Sequence, residues 1–150
     1  MINVKATDLG VLSKKLDEMA RNVQEQVLFS GVAAMARVVY DEARANAPTS
    51  KAEHYFYGSS YKKTGQRYKF VPGTLRASIY RVYSESRSNP DRKTYQVSWN
   101  HTKCPYGYMV EFGTSRAPAH PFMRPAADKL PDAIRAGRER MKERYKEVTG

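Results

Sequence analysis

Tyr106-Gly107-Tyr108-Met109-Val110-Glu111-Phe112-Gly113-Thr114-Ser115-Arg116-Ala117-Pro118-Ala119-His120-Pro121-Phe122-Met123-Arg124-Pro125-Ala126 is the stretch on which the fold turns. Tyr106 to Phe112 reads as a short helix, and Gly113 ends it, because glycine adopts the left-handed cap conformation without steric cost. The run Arg116 to Phe122 is a rigid connection: Pro118 and Pro121 each fix a backbone angle and remove a donor. Pro125 suits the first position of a further helix, where a missing N–H is no loss. A stiff link with phenylalanine anchors, Phe112 and Phe122, has little entropy left to lose on docking. Glu111 and Arg124 flank it with opposite charges and are expected to pair across it, bidentately if geometry permits. The plainer alternative is that these residues only join two helices and fill the core, a description that fits Phe112 and Phe122 best.

Downstream, the last helix carries a stripe of Leu130, Ile134, Met141, Tyr145 and Val148. Pro131 either kinks this helix or restarts it. Arg135, Arg138, Arg140, Lys142, Arg144 and Lys146 alternate with Glu139, Glu143 and Glu147, a pattern that reads as a solvated, salt-bridged face.

Upstream lies a small β region. Ile79 to Tyr83 is one strand and Thr94 to Asn100 a second, with Tyr95, Val97 and Trp99 on one side and Thr94, Gln96 and Ser98 on the other. Ser88-Asn89-Pro90-Asp91 is the turn of an antiparallel hairpin. Two strands alone are marginal, so the first helix or a further strand should cover the aromatic face. That first helix is written by Leu9, Leu12, Leu16, Met19, Val23 and Val27, continuing through Leu28, Val32, Met35, Val39 and Ala43. Thr7 or Asp8 is placed to cap its start, Ser30-Gly31 to kink or briefly break it, and Asn46-Ala47-Pro48 to stop it, with Asn46 suited to a left-handed cap. So long a helix, with so little apolar sequence after it, is expected to project or to pack on another subunit. The fold class is therefore α+β: a long N-terminal helix, a small antiparallel β-sheet, a short helix and a C-terminal helix.

Thr49 to Pro72 interrupts this plan. It holds Tyr55, Tyr57, Tyr61 and Tyr68, with Lys62 and Lys63 among its cations and Glu53 as its acid, and no period of 2 or 3.6 organises it. A loop of this length without structure is either functional or disordered. Rings that stack on bases beside lysines that hold phosphates make it a nucleic-acid candidate. Tyrosine is equally suited to protein contact, being large, stiff and amphipathic, and protein is the reading preferred for these residues.

The 150 residues suit one domain, 1–150, with the insertion at 49–72. A chain this long buries about two-thirds of its unfolded surface and folds without disulfide or metal. The apolar content is 41% and the mean hydropathy −0.71, which implies a thin core, an extended shape or a segment that orders on a partner. No apolar run approaches the roughly 20 residues of a membrane span. Met1 to Lys5 lacks a signal-peptide pattern, so secretion by that route is not expected. A net charge of +11 attracts phosphate backbones, anionic lipid and acidic protein alike. The single cysteine, Cys104, fits a reducing compartment. His101 and Cys104, with His120 and Glu111 further along, fall short of a zinc ligand set, and Pro105 and the lack of an orienting group count against a cysteine nucleophile. No phosphate loop or hydrolase motif occurs, and no enzyme activity or cofactor is expected.

The quoted stretch resembles the signature of the neck and tail-completion (minor tail, head–tail joining) proteins of long-tailed, non-contractile bacteriophages. That signature runs as a tyrosine, Val-Glu-Phe-Gly-Thr, a basic residue, Pro-Ala-x-Pro-Phe, a hydrophobic residue and Arg-Pro-Ala. The helix ending at Ala47-Pro48 and the Gly73-Thr74-Leu75-Arg76-Ala77-Ser78-Ile79 stretch are similar to the same family. The chain departs from it in Met123, a mild change, and in the insertion, where relatives make a short connection. The resemblance implies a structural virion protein at the head–tail junction or tail end, made in the host bacterial cytoplasm. Its expected partners are head-closure or connector proteins and tail-terminator or tail-tube proteins, with a homo-oligomeric ring, non-specific contact to DNA backbone and no membrane. Interface residues under this reading are Tyr106, Glu111, Phe112, Gly113, Thr114, Arg116, Pro118, Pro121, Phe122, Arg124 and Pro125, with Tyr55, Tyr57, Tyr61, Lys62, Lys63 and Tyr68 of the insertion. The alternatives are a basic nucleic-acid-binding protein, betrayed by steep salt dependence, and a small nuclease or toxin using His101 or His120.

Overall fold

The computed structural model of the protein describes residues 6–150, with side chains from residue 10 onward. The caps expected from Thr7 or Asp8, the place of Leu9 and the segment Met1 to Lys5 lie outside those described side chains. Helix α1 spans Ala6–Asn46. A first hairpin comes next, β1 (His54–Tyr57) and β2 (Arg67–Phe70), with the one-turn helix α2 (Tyr61–Thr64) at its tip. Then come α3 (Thr74–Ser78), the second hairpin β3 (Ile79–Tyr83) and β4 (Tyr95–Trp99), α4 (Gly107–Phe112), α5 (Met123–Ala127) and α6 (Leu130–Thr149).

The α+β class holds, but the β structure forms two separate two-stranded sheets. The second matches the alternation read from its sequence: Ile79 pairs with Trp99, Arg81 with Val97 and Tyr83 with Tyr95. A 3-10 turn at Glu85–Arg87 and a bridge between Asn89 and Arg92 close it. Helix α1 covers its aromatic face, as a lone hairpin requires: Phe29 packs on Tyr83 at 5.1 Å and on Tyr95 at 5.9 Å between ring centroids. The first hairpin gives order to the insertion, which its sequence left open between functional and disordered. His54 pairs with Phe70, Tyr55 with Lys69, Phe56 with Tyr68 and Tyr57 with Arg67. Burial alternates along β1, but aromatic side chains occupy both faces, so hydrophobicity carries no period of 2.

Ser30-Gly31 makes no break; α1 runs through it. The missing side chain of Gly31 admits Met141 of α6, and a Cβ at Gly137 would lie 2.5 Å from Met35 and 3.1 Å from the Gly31 carbonyl oxygen. The glycines are there for close helix approach. Asn46 takes no left-handed cap, since no non-glycine residue described has a positive φ. The helix ends because Pro48 disfavours helical geometry in Ala47. Pro125 is the third residue of α5 rather than the opener of the last helix, and Pro131 restarts the chain at the start of α6.

The core is small. Ala43, Ala47, Leu75, Ile79, Cys104, Phe122 and Ala126 are buried together, flanked by Val39, Tyr40, Val97, Trp99, Tyr106, Val110 and Met123. Accessible surface totals 11099 Å², against about 7,750 Å² expected of a compact monomer of this mass. Part of the excess lies on α1 before it meets α6, where Leu12, Leu16 and Met19 are each more than half exposed. Among the described residues no helix is long and apolar enough to cross a membrane.

Candidate docking interface

Helix α4 turns Gly107 and Glu111 inward and leaves Tyr108, Met109 and Phe112 in solvent. After it the backbone must reverse, and Gly113 does this at φ 76° and ψ 176°. The positive φ is as expected, but the extended ψ is not the left-handed cap; it belongs to a region that only glycine enters freely. A Cβ there would sit 2.8 Å from the Ala119 nitrogen. The link then tightens on itself. The Thr114 amide donates to the Ala117 carbonyl at 2.8 Å, and the Thr114 hydroxyl accepts from the amides of Arg116 and Ala117. The His120 amide donates to the Val110 carbonyl at 2.8 Å, which fastens the link to α4.

The carboxylate of Glu111 organises the start of α5. The first amides of a helix have no partner within it. Here the Phe122 and Met123 amides donate to Glu111 Oε2 at 2.7 and 2.9 Å, and the Arg124 amide donates to Oε1 at 3.0 Å. Pro125, next in line, has no N–H to satisfy, so every donor at this helix start is accounted for. Burial by itself would raise the Glu111 pKa; hydrogen bonds from Met123, Phe122 and Arg124 outweigh it and hold the carboxyl below its ordinary range. Arg124 completes the clamp, its Nε donating to Oε1 at 3.1 Å and its Nη2 to the Glu111 carbonyl at 2.7 Å. The pair expected across the link therefore forms, but the second donor takes the backbone oxygen instead of the second carboxylate oxygen.

This clamp holds an aromatic face toward solvent. The Arg124 guanidinium lies over Phe112, 5.0 Å from the ring centroid, and Tyr108 packs on Phe112 at 4.6 Å. Phe112 is 51% exposed and is not core, because it sits on the face of α4 opposite Glu111. Phe122 is fully buried, edge to face with Trp99 at 5.5 Å. Tyr106 is also a packing residue, set between His54 and Phe70, which tie the first hairpin to the core. Thr114, Arg116, Pro118 and Pro121 lie on the exposed side of the link. The structure thus leaves Phe112, Thr114, Arg116 and Arg124 exposed, buries Glu111 as the acceptor that holds Arg124, and takes Tyr106 and Phe122 into the packing. To the exposed set it adds Tyr108 and Met109, which the sequence motif alone does not single out; the i,i+4 spacing of Tyr108 and Phe112 was the available signal. Beside them runs an apolar groove lined by His54, Leu75, Tyr106, Met109, Val110 and Pro118.

The other candidates are scattered. Cys104 is buried, and desolvation pushes its thiol pKa up despite hydrogen bonds with Tyr106, Ser78 and the Gly107 backbone. Burial, then Cys104 itself, likewise raises the Tyr106 hydroxyl. His101 packs against Trp99 with the rings tilted, 4.8 Å between centroids. Among the described residues no cluster of His, Cys, Asp and Glu could hold a metal ion. On the first hairpin Tyr55, Tyr57, Tyr61 and Tyr68 are all exposed, as are Lys62 and Lys63.

A family model described as "Bacteriophage HK97-gp10, putative tail-component" matches residues 11–113. The match spans well over half of the chain, which belongs to this HK97-gp10-like family. It is a tail-related structural protein of a bacteriophage, and its place is the virion. The matched stretch ends at Gly113, so the link, α5 and α6 lie beyond it. No curated protein and no solved structure matches the chain.

Proposed function

We propose that this tail component completes the tail and joins it to the head, working as one domain through protein contact rather than catalysis. The observation that carries the reading is the surface excess. Roughly 3,300 Å² more is exposed than on a compact monomer, about twice what a standard protein interface buries in total. Two faces present part of it. One is the clamped link with Tyr108, Phe112 and Arg124, rigid before binding, so that docking costs little ordering. The other is the free half of α1 with its Leu12, Leu16 and Met19 stripe. In this reading one face meets a head-closure or connector protein and the other a tail-terminator or tail-tube protein, with copies of the chain arranged as a ring at the head–tail junction.

Complementation of a phage lacking this protein tests the proposal. Tyr108→Ala, Phe112→Ala and Arg124→Ala should each yield soluble, folded protein, yet leave heads and tails unjoined, or tails unfinished, in electron micrographs. Normal infectious yield from all three would overturn it.

A further inference from the structure

The outer face of the first hairpin carries a charge arrangement that the tail-joining reading does not use. We propose that this face holds the phosphodiester backbone of duplex DNA. The β1–β2 register places Tyr55 opposite Lys69 and Tyr57 opposite Arg67, so these four side chains share one side of the sheet. Gly65, at φ 67°, lets the chain return after α2, which presents Lys62 and Lys63 at the tip. Lys69 pairs with Glu53 at 2.7 Å. Among the described residues Lys62, Lys63 and Arg67 have no carboxylate within salt-bridge distance, in contrast to the interleaved charges of α6.

Tyrosine content alone suits a protein partner, but the cations change the balance. Lysine is depleted at protein interfaces, whereas lysine, arginine and tyrosine together are the usual donors to phosphate oxygens. Duplex is favoured over single strand because three of the four rings are already partly engaged. Arg67 covers Tyr55 at 4.6 Å, and Tyr57 and Tyr61 stand edge to face at 4.7 Å, which takes up ring surface that unstacked bases would need. Such contact follows the backbone and reads no sequence.

The test is fluorescence anisotropy of the whole chain with a labelled random-sequence duplex across a salt series. Lys62→Gln, Lys63→Gln, Arg67→Gln and Lys69→Gln combined should weaken binding by roughly tenfold or more and flatten the plot of log affinity against log salt by up to about 3.6, near 0.9 per lost contact. Replacing the three lysines by arginine should preserve binding, and circular dichroism should show all variants folded. Arg135→Gln, Arg138→Gln, Lys142→Gln and Lys146→Gln combined remove the same charge from exposed sites on α6 and should change affinity far less. An equal loss from that control, or none from the hairpin variant, would overturn the proposal. Tighter binding of a single strand than of duplex would do so too, as would competition by polyglutamate as effective as that by duplex, which would mark an acidic-protein surface. The readout uses isolated protein, so a negative result leaves the joining assay untouched.

Discussion

Replacing Glu111 by glutamine would keep the shape of the side chain and remove the charge that three backbone amides and a guanidinium converge upon. Such hydrogen bonds gain strength from the ionised acceptor, and the loss should cost about 2 kcal/mol. In a chain of this size that is a fall in Tm of roughly 4–8 °C, read by thermal denaturation at neutral pH. The folded carboxyl titrates below its ordinary value of 4.5, so its stabilisation is full above that pH and fades as pH drops toward the folded value. The wild-type chain should therefore lose more stability than Glu111→Gln between neutrality and strong acid; parallel pH profiles would refute the clamp. The two phenylalanines should separate just as clearly. Phe122→Ala, a deletion in the core, should cost about 3–5 kcal/mol, while the half-exposed Phe112→Ala should leave chemical denaturation within about 0.5 kcal/mol of wild type.

Among the elements, the α1–α6 pair rests on small residues. Gly31 and Gly137 let the helices approach until Met141 and Met35 fill the space above them. Leucine at 137 gains helix propensity but drives a branched side chain into Met35 and the Gly31 carbonyl. Overpacking should win, and Gly137→Leu should lower stability by about 1–3 kcal/mol in urea denaturation. The free half of α1 should behave in the opposite way. Leu12→Ser with Leu16→Ser removes side chains that touch little within the chain, so the stability read from urea denaturation should stay within about 0.5 kcal/mol of wild type. A large destabilisation there would mean that this stripe is packed within the chain in solution.

At the scale of the whole molecule, the shape itself is measurable. A compact chain of 150 residues has a radius of gyration of about 15 Å. The projecting helix and the extra surface should place small-angle scattering well above that, and a value near it would remove the basis for two separate docking faces. The core is thin because α1 and α6 contribute Ala36, Ala43, Ala133 and Gly137 where larger side chains would stand, as the low mean hydropathy anticipates. Stability then leans on satisfied donors such as the Glu111 clamp as well as on buried area.

The sequence by itself determined the α+β class, the paired strands from Ile79 and from Tyr95, the short helix ending at Gly113, and the family, because these rest on local periodicity, proline and glycine chemistry and an ordered motif. It could not show that Ser30-Gly31 is a helix crossing instead of a break, since the reason is Met141, more than a hundred residues away. Nor did it separate Phe112 from Phe122, which are chemically alike and differ in which face of the chain the tertiary packing covers. The insertion stayed opaque for a related cause: with rings on both faces, its alternation exists in burial and not in hydrophobicity. Long-range contact decides which side of an element is inside, and that choice turned a proline-rich linker into a candidate docking surface.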